Sequence, residues 1–330
     1  MPDALVGSAP GAWIPGSAYD PSLTYKKADL HLHSNFSYDV LNIPDLSPRT
    51  LYDKAVRRGM GFFTLTDHDT IRGIQALERE LLADYGNEPP IPLISGIEFT
   101  IRDVSIGHTV HTNVLGLDEA QMLELARRRK SIRTFLEFCR AEDLYHAYNH
   151  PFWFKMGEQG RRSTVEGLIP EFPVIEINAG RIPELNARTL ALARLAGKEV
   201  VATSDSHTGN VGRAYSMAPG ETPAEFLLNL RRGISQAVPD HATLSAFVRE
   251  LGETIELVLL RGSPFRLKAS VLRGMPVARW IARTALQSGF VMNPSPIKPA
   301  FCRTLQLLAF PPACAFIWRQ MRMHARLGSA

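Results

Sequence analysis

The sequence predicts an α/β fold in which about seven strands close into a barrel, with polar groups gathered at one rim. Two observations carry this. Strand-like and helix-like segments alternate with short connections, the pattern of a parallel sheet with crossover helices. Six of the ten histidines (His31, His33, His68, His111, His150 and His207) stand in or just beyond apolar runs that read as strands. Catalytic groups in barrel-like α/β folds are carried on the ends of several strands.

In chain order, Lys27 to His33 reads as a strand. Ser47 to Arg58 reads as a helix, with Ser47 as N-cap, Pro48 as its first residue and Gly59 as its stop. Gly61 to Thr66 is a second strand and Thr70 to Ala83 a second helix. Ile91 to Ile97 and Thr109 to Leu115 are strands, and Asp118 to Asp143 is one long helix. Strands follow at Leu144 to Asn149, Val174 to Asn178 and Glu199 to Thr203, with a helix at Pro183 to Ala196 closed by Gly197. Two further helices fit between Thr222 and Gly252.

Three units are expected: a loosely ordered, Pro- and Gly-rich lead-in (1–24), the main domain (25–252) and an extension (253–330). The lead-in lacks a basic region before an apolar core, so it does not read as a signal peptide. The three cysteines, Cys139, Cys302 and Cys314, have no paired spacing, which excludes a disulfide framework and a cysteine-based zinc site. A cytoplasmic protein is expected. The net charge of +4 hides an asymmetry: residues 257–330 hold eleven Lys or Arg and no acidic group, against 26 basic and 33 acidic residues before them. The extension contains a helix-like stretch (Arg279 to Gln287), a linker (Asn293 to Pro299) and an apolar run (Phe301 to Trp318) broken by Pro311 and Pro312. That run is too short and interrupted for a membrane span. Three readings stand: contact with an anionic membrane surface, contact with nucleic acid, or a helical cap packed on the body.

The chemistry lies in five clusters: D-L-H-L-H-S (Asp29 to Ser34), T-D-H-D-T (Thr66 to Thr70), G-I-E-F-T (Gly96 to Thr100), N-H-P (Asn149 to Pro151) and S-D-S-H (Ser204 to His207). Imidazoles and carboxylates arriving together suit a cluster of divalent ions. His31 and His33 are two apart on a strand and leave the same face, as do Asp205 and His207 if their segment is extended. Asp29 is placed to orient a histidine from behind. Glu98 ends a buried apolar strand, where an ionised carboxylate needs a partner or a metal; an ion pair with Arg102 is the alternative to ligation. The remaining histidines (His108, His146, His241, His324) and the Arg-rich run at 127–130 have no partner pattern and read as structural or solvated.

Together these motifs, from about Ala28 to Ala214, resemble the PHP (polymerase and histidinol phosphatase) superfamily. The resemblance implies a distorted seven-stranded (β/α) barrel, followed here by a basic C-terminal extension, and phosphoester hydrolysis with two or three divalent ions (Mn, Fe or Zn). It assigns His31, His33, Glu98 and Asp205 to one ion, Glu98, His111 and His150 to a second, and Asp39, His68 and His207 to a third. Many members carry the first acidic ligand one residue earlier, where this chain has Tyr38, and Asn113 is the alternative to His111. His68 and Asp205 are the groups whose loss should cost turnover most; His207 or Asp67 would assist the leaving group; Arg181 and Arg213 would hold phosphoryl oxygens. The interval of 52 residues from Glu98 to His150 leaves no room for the helical insertion of nucleotide-specific members. An open site accepting small phosphoesters or nucleotides is therefore expected. A histidinol-phosphatase-like monoesterase, a nuclease acting on nucleic-acid ends, and a non-catalytic metal-stabilised barrel are the alternatives.

Overall fold

A computed structural model describes residues 13–155, 158, 160–259, 296–308 and 310–328. The stretch Arg279 to Gln287 and the first three residues of the linker, Asn293 to Ser295, lie outside the described residues.

The fold is mixed α/β. Five strands form one sheet in the order β5 (Gly96–Ile101), β6 (Val110–Leu115), β7 (Tyr145–Tyr148), β8 (Val174–Asn178) and β9 (Glu199–Thr203). β7, β8 and β9 run parallel, as expected, but β5–β6 and β6–β7 are antiparallel. Two causes account for the difference. The connection from β5 to β6 is a loop far shorter than a parallel crossover needs. Between β6 and β7 the expected long helix is two: α3 (Glu119–Arg128) and α4 (Ile132–Ala141). Asp118 caps the first with a capping box through Gln121, and Ser131 caps the second. The pair carries the chain out and back, so Tyr145 enters the sheet opposite Leu115, where the chain left it.

The expected strand Ile91 to Ile97 is also divided, into β4 (Leu93–Ile94) and β5, at Ser95. Gly96 sits at the step because a Cβ there would lie 2.4 Å from Thr64 Oγ1 and 2.8 Å from the Leu65 carbonyl. β4 pairs in parallel with β3 (Phe63–Thr64). A four-stranded antiparallel sheet joins β2 (Lys26–Ala28), β10 (Tyr215–Ala218), β11 (Gln236–Val238) and β1 (Ile14–Pro15). β1 belongs to the segment expected as a loose lead-in, and pairing to β11 ties it to the body.

Helix α1 (Pro48–Arg57) starts as its sequence demands, with the Ser47 side chain accepting from Thr50 N. α2 (Arg72–Tyr85), α5 (Arg162–Leu168), α6 (Pro183–Leu195) and α7 (Pro223–Arg231) follow. One apolar cluster packs helices on the outer sheet faces. A second takes residues from the strands (Ala28, Leu115, Tyr145, Val174, Val201) and is closed by Phe226 and Leu230 of α7.

The C-terminal region packs on this body. α8 (Leu244–Leu259) runs across the expected boundary at 252–253. α9 (Lys298–Leu308) and α10 (Phe310–Gly328) lie against it. Pro311 falls in the first turn of α10, where a missing N–H is tolerated. Gln320 is buried: it accepts from Ile182 N at 3.0 Å and donates to the Gly180 carbonyl at 3.0 Å. Arg162 and Arg188 both donate to the Leu327 carbonyl. No described helix is long and apolar enough to cross a membrane. Of the three readings of the extension, the cap describes how residues 296–328 sit.

Candidate metal centre

The six histidines converge on one place: His68, His111, His150 and His207 line the floor of a cavity of about 550 Å³, and His31 and His33 are fully buried beside them. The expected strand Lys27 to His33 is shorter, β2 ending at Ala28, but a bridge from Leu32 to Ser206 holds His31 and His33 with their Nε2 atoms together, and β5 carries Glu98 inward between them and the other histidines. His150 (φ 28°) and Asp205 (φ 51°) adopt left-handed backbone conformations just beyond their strands. Such conformations are strained for residues other than glycine and concentrate at functional sites.

His31 Nε2 and His33 Nε2 stand 3.1 Å apart. Glu98 Oε2 lies 3.2 and 3.3 Å from them, and Asp205 Oδ1 lies 3.3 Å from each. Donor atoms around a tetrahedral ion with bonds near 2.0–2.1 Å are spaced by roughly 3.3–3.4 Å. The other oxygen, Glu98 Oε1, faces His111 Nδ1 at 3.0 Å and His150 Nε2 at 3.3 Å. Asp39 Oδ2 lies 3.1 Å from His68 Nε2 and 3.0 Å from His207 Nε2. Among the described residues, four groups of three side chains have donor atoms close enough to hold an ion: His33, His68, His207; His31, His33, Glu98; His68, Glu98, His111; and His31, His150, Glu176.

One atom tests the fit most sharply. Glu98 Oε2 is buried within 3.3 Å of three imidazole nitrogens (His31, His33, His68) and makes no hydrogen bond to any. A buried carboxylate oxygen without a donor is costly; a cation among those nitrogens would satisfy it. Burial alone would raise the Glu98 carboxyl, but His68, His31 and His111 outweigh it and hold it well below the usual carboxylate range. Asp205 is likewise held low, against burial, by His31, His33 and His207. Burial moves His111 down to about 4, keeping it neutral as a ligand must be. For His207, burial is outweighed by Asp39, and the imidazole rises to about 10. Its Nε2 faces Asp39 and can hold a proton or ligate an ion, not both.

The two register alternatives take clear positions. Tyr38 stacks on the His68 ring (4.8 Å) while Asp39 reaches His68 and His207. Asn113 donates to the Leu30 carbonyl and accepts from Asn149, away from the ring nitrogens that His111 faces.

Three expectations need correction, and one alternative is set aside. Asp29 does not orient a histidine; it accepts from the backbone of Ser204 and Gly212. Asp67 does not line the cavity: both oxygens accept from Ser34, at 2.7 Å each. Arg213 lines the cavity, but its three guanidinium nitrogens go to Asp240, Glu250 and the His241 carbonyl, so it fastens α8 and has little left for an anion. Glu98 pairs with histidines rather than with Arg102. Arg181, by contrast, is buried on the cavity wall and its Nε has no partner among the described residues; burial lowers it to about 10.

Glu176, in V-I-E-I-N, was not foreseen. Its Oε1 accepts from His31 Nδ1 (2.6 Å) and Thr203 Oγ1 (2.5 Å); its Oε2 accepts from His150 N (2.7 Å) and Asn178 Nδ2 (3.1 Å). It does for His31 what Asp29 was expected to do, directing Nε2 into the cluster. Glu176→Gln should weaken divalent-ion affinity by about 10–100-fold, because an amide N–H₂ would meet groups that are themselves donors. Competition with a chelating dye measures this; unchanged affinity would remove Glu176 from the site.

The cavity walls are aromatic and basic. Trp153 packs beside His111 and His150, and Phe154, Lys155, Phe247, Phe316 and Arg319 continue the lining. Between Glu98 and His150 lie β6, α3 and α4, and one side of the cavity is walled by Phe247 and Glu250 of α8 and by Phe316 and Arg319 of α10.

No protein-family model matches the chain. A 5'-3' exoribonuclease of Haemophilus influenzae is 36% identical over 110 residues, 33% of this chain and 36% of that protein. The match thus spans about a third of that relative. Among solved structures, PsfC from Pseudomonas syringae is similar over 80% of this chain and 100% of its own, at 17% identity and a TM-score of 0.47. The lesion-specific endonuclease PfuEndoQ from Pyrococcus furiosus is similar over 64% of this chain and 56% of its own, at 15% identity and a TM-score of 0.44.

Proposed function

We propose that the chain is a metal-dependent phosphoesterase of PHP type. The observation that carries the reading is Glu98, whose two oxygens stand among five histidines, with one oxygen lacking a hydrogen bond among the described residues. The motif resemblance agrees with it. Backbone hydrogen bonds support the barrel reading too. Asp205 N donates to the His31 carbonyl, His33 N to Ser206 and Thr66 N to Leu32, and His68 bridges to Glu98, linking β9 round to β5 through the shorter strands.

In this reading His31, His33, Glu98 and Asp205 hold one ion, Glu98, His111 and His150 a second, and Asp39, His68 and His207 a third. Divalent ions, when bound, supply charge neutralisation and lower the pKa of water toward neutrality. The chain's own groups do the rest. Arg181 holds phosphoryl oxygens as negative charge develops on them. His207, when not ligating, holds a proton at Nε2 for the leaving oxygen. Trp153 and Phe154 exclude bulk water from the floor, which strengthens each of these interactions.

A second reading, hydrolysis of nucleic-acid ends, has one observation behind it: the 110-residue match to an exoribonuclease. One panel separates the two. Protein reconstituted with Mn, Fe or Zn should hydrolyse phenyl phosphate and lose that activity to a chelator. Turnover of a 5'-phosphorylated oligoribonucleotide with no activity on monoesters would favour the nuclease. Activity on neither would sink both.

A further inference from the structure

The C-terminal helix does more than cover the body. Two of its residues, Phe316 and Arg319, line the cavity above the histidine–carboxylate floor. Phe316 stacks on Phe247 of α8, ring centroids 4.5 Å apart and planes within 7°. Arg319 donates through Nη2 to the Phe154 carbonyl at 3.0 Å, which holds its guanidinium at the rim and leaves Nε and Nη1 for an anion. The next residue, Gln320, clasps the backbone of Gly180 and Ile182 on either side of Arg181. That clasp sets the register of α10 against the loop bearing Arg181, so two guanidinium groups are presented to one cavity.

The cavity is therefore divided by chemistry. Its floor is imidazole and carboxylate. One wall offers Arg181, buried and with an unpartnered Nε, together with Arg319. Like charges brought together repel unless an anion lies between them, and arginine forks match phosphate oxygens in geometry and charge. The Phe247–Phe316 pair offers a flat apolar surface, which favours an aromatic group by area and by ring stacking.

Building on the phosphoesterase reading, we propose that α10 is the specificity element of this site. Arg319 with Arg181 holds the phosphate, and the Phe247–Phe316 pair holds a flat aromatic group on the alcohol portion. The preferred substrates are phosphate monoesters of alcohols that carry an aromatic ring, rather than those of small polar alcohols.

The test uses the full chain, metal-reconstituted, and two non-hydrolysable probes, phenylphosphonate and methylphosphonate, with binding followed by calorimetry. Wild type should bind phenylphosphonate roughly tenfold or more tightly than methylphosphonate, the size expected for placing a phenyl group on apolar surface. Phe316→Ala should bring that ratio within about threefold of unity, and Arg319→Ala should weaken both probes about tenfold or more. Phe316→Leu and Arg319→Lys, which keep volume or charge, should fall between, and they decide the matter if either alanine variant does not fold. A wild-type ratio near one, a ratio unmoved by either Phe316 variant, or affinities unmoved by either Arg319 variant would overturn the proposal. Phenyl phosphate hydrolysis is measured in parallel. If hydrolysis is absent and the binding ratio holds, the phosphoesterase reading fails and the specificity element stands. If hydrolysis is present and the ratio is absent, the reverse is true.

Discussion

Glu98→Gln is expected to lower kcat/KM on phenyl phosphate by about a thousandfold or more and to release at least one metal equivalent. The expectation follows from competition between two large effects at a buried carboxylate. Burial opposes its charge, and the histidines at 68, 31 and 111 favour it more strongly. Glutamine keeps the shape and removes the charge, so the balance collapses. It also places an amide nitrogen against ring nitrogens or against the Asn149 side chain, which donates to Oε1 at 3.0 Å. The variant should remain folded, because β5 is held in the apolar layer by Ile97, Phe99 and Ile101, which the substitution leaves untouched. Metal analysis and steady-state kinetics on the same preparation check it. Near wild-type turnover with full metal content would mean that Glu98 is a structural carboxylate.

Phe226→Ala should cost about 3–5 kcal/mol of stability, the range for deleting a fully buried ring. Phe226 is 0% exposed, and its ring lies 4.7 Å from that of Phe62 in the cluster that α7 closes. This cluster includes Leu115, four residues along β6 from His111, or about 14 Å at strand rise. The metal content of the folded fraction should therefore be unchanged. Urea denaturation gives the loss. A loss below about 1 kcal/mol would show that neighbouring side chains collapse into the space.

The histidines and carboxylates that converge on one place were legible because each cluster is local. A histidine two residues from another on a strand needs no knowledge of the fold to be placed on the same face. β8 and β9 were legible to the residue, and so was the Ser47 cap of α1. Glu176 carried the signal that identified Glu98, an acidic residue in an otherwise apolar buried strand, but no histidine stood beside it in sequence. The break between α3 and α4 was also written locally, in Asp118 with Gln121 and in Ser131. The apolar periodicity across it resembles one helix, and that masked the caps. Other features were out of reach. Arg213 follows the S-D-S-H cluster and looks like a substrate group; only the fold brings Asp240 and Glu250 to it. Phe316 and Arg319 enter the cavity from a segment far along the chain. The strands β1, β10 and β11 have two to four residues each, too few to show a period.

The proposed reaction requires ions at the floor of this cavity, and the most direct measurement is their stoichiometry. Full-length protein stripped by chelation, reloaded with Mn, Fe or Zn, desalted and measured by elemental analysis should hold two to three equivalents per chain. Asp205→Ala should hold at least one fewer. Less than one equivalent in the wild-type protein after reloading would contradict the metal centre, and with it the proposed reaction.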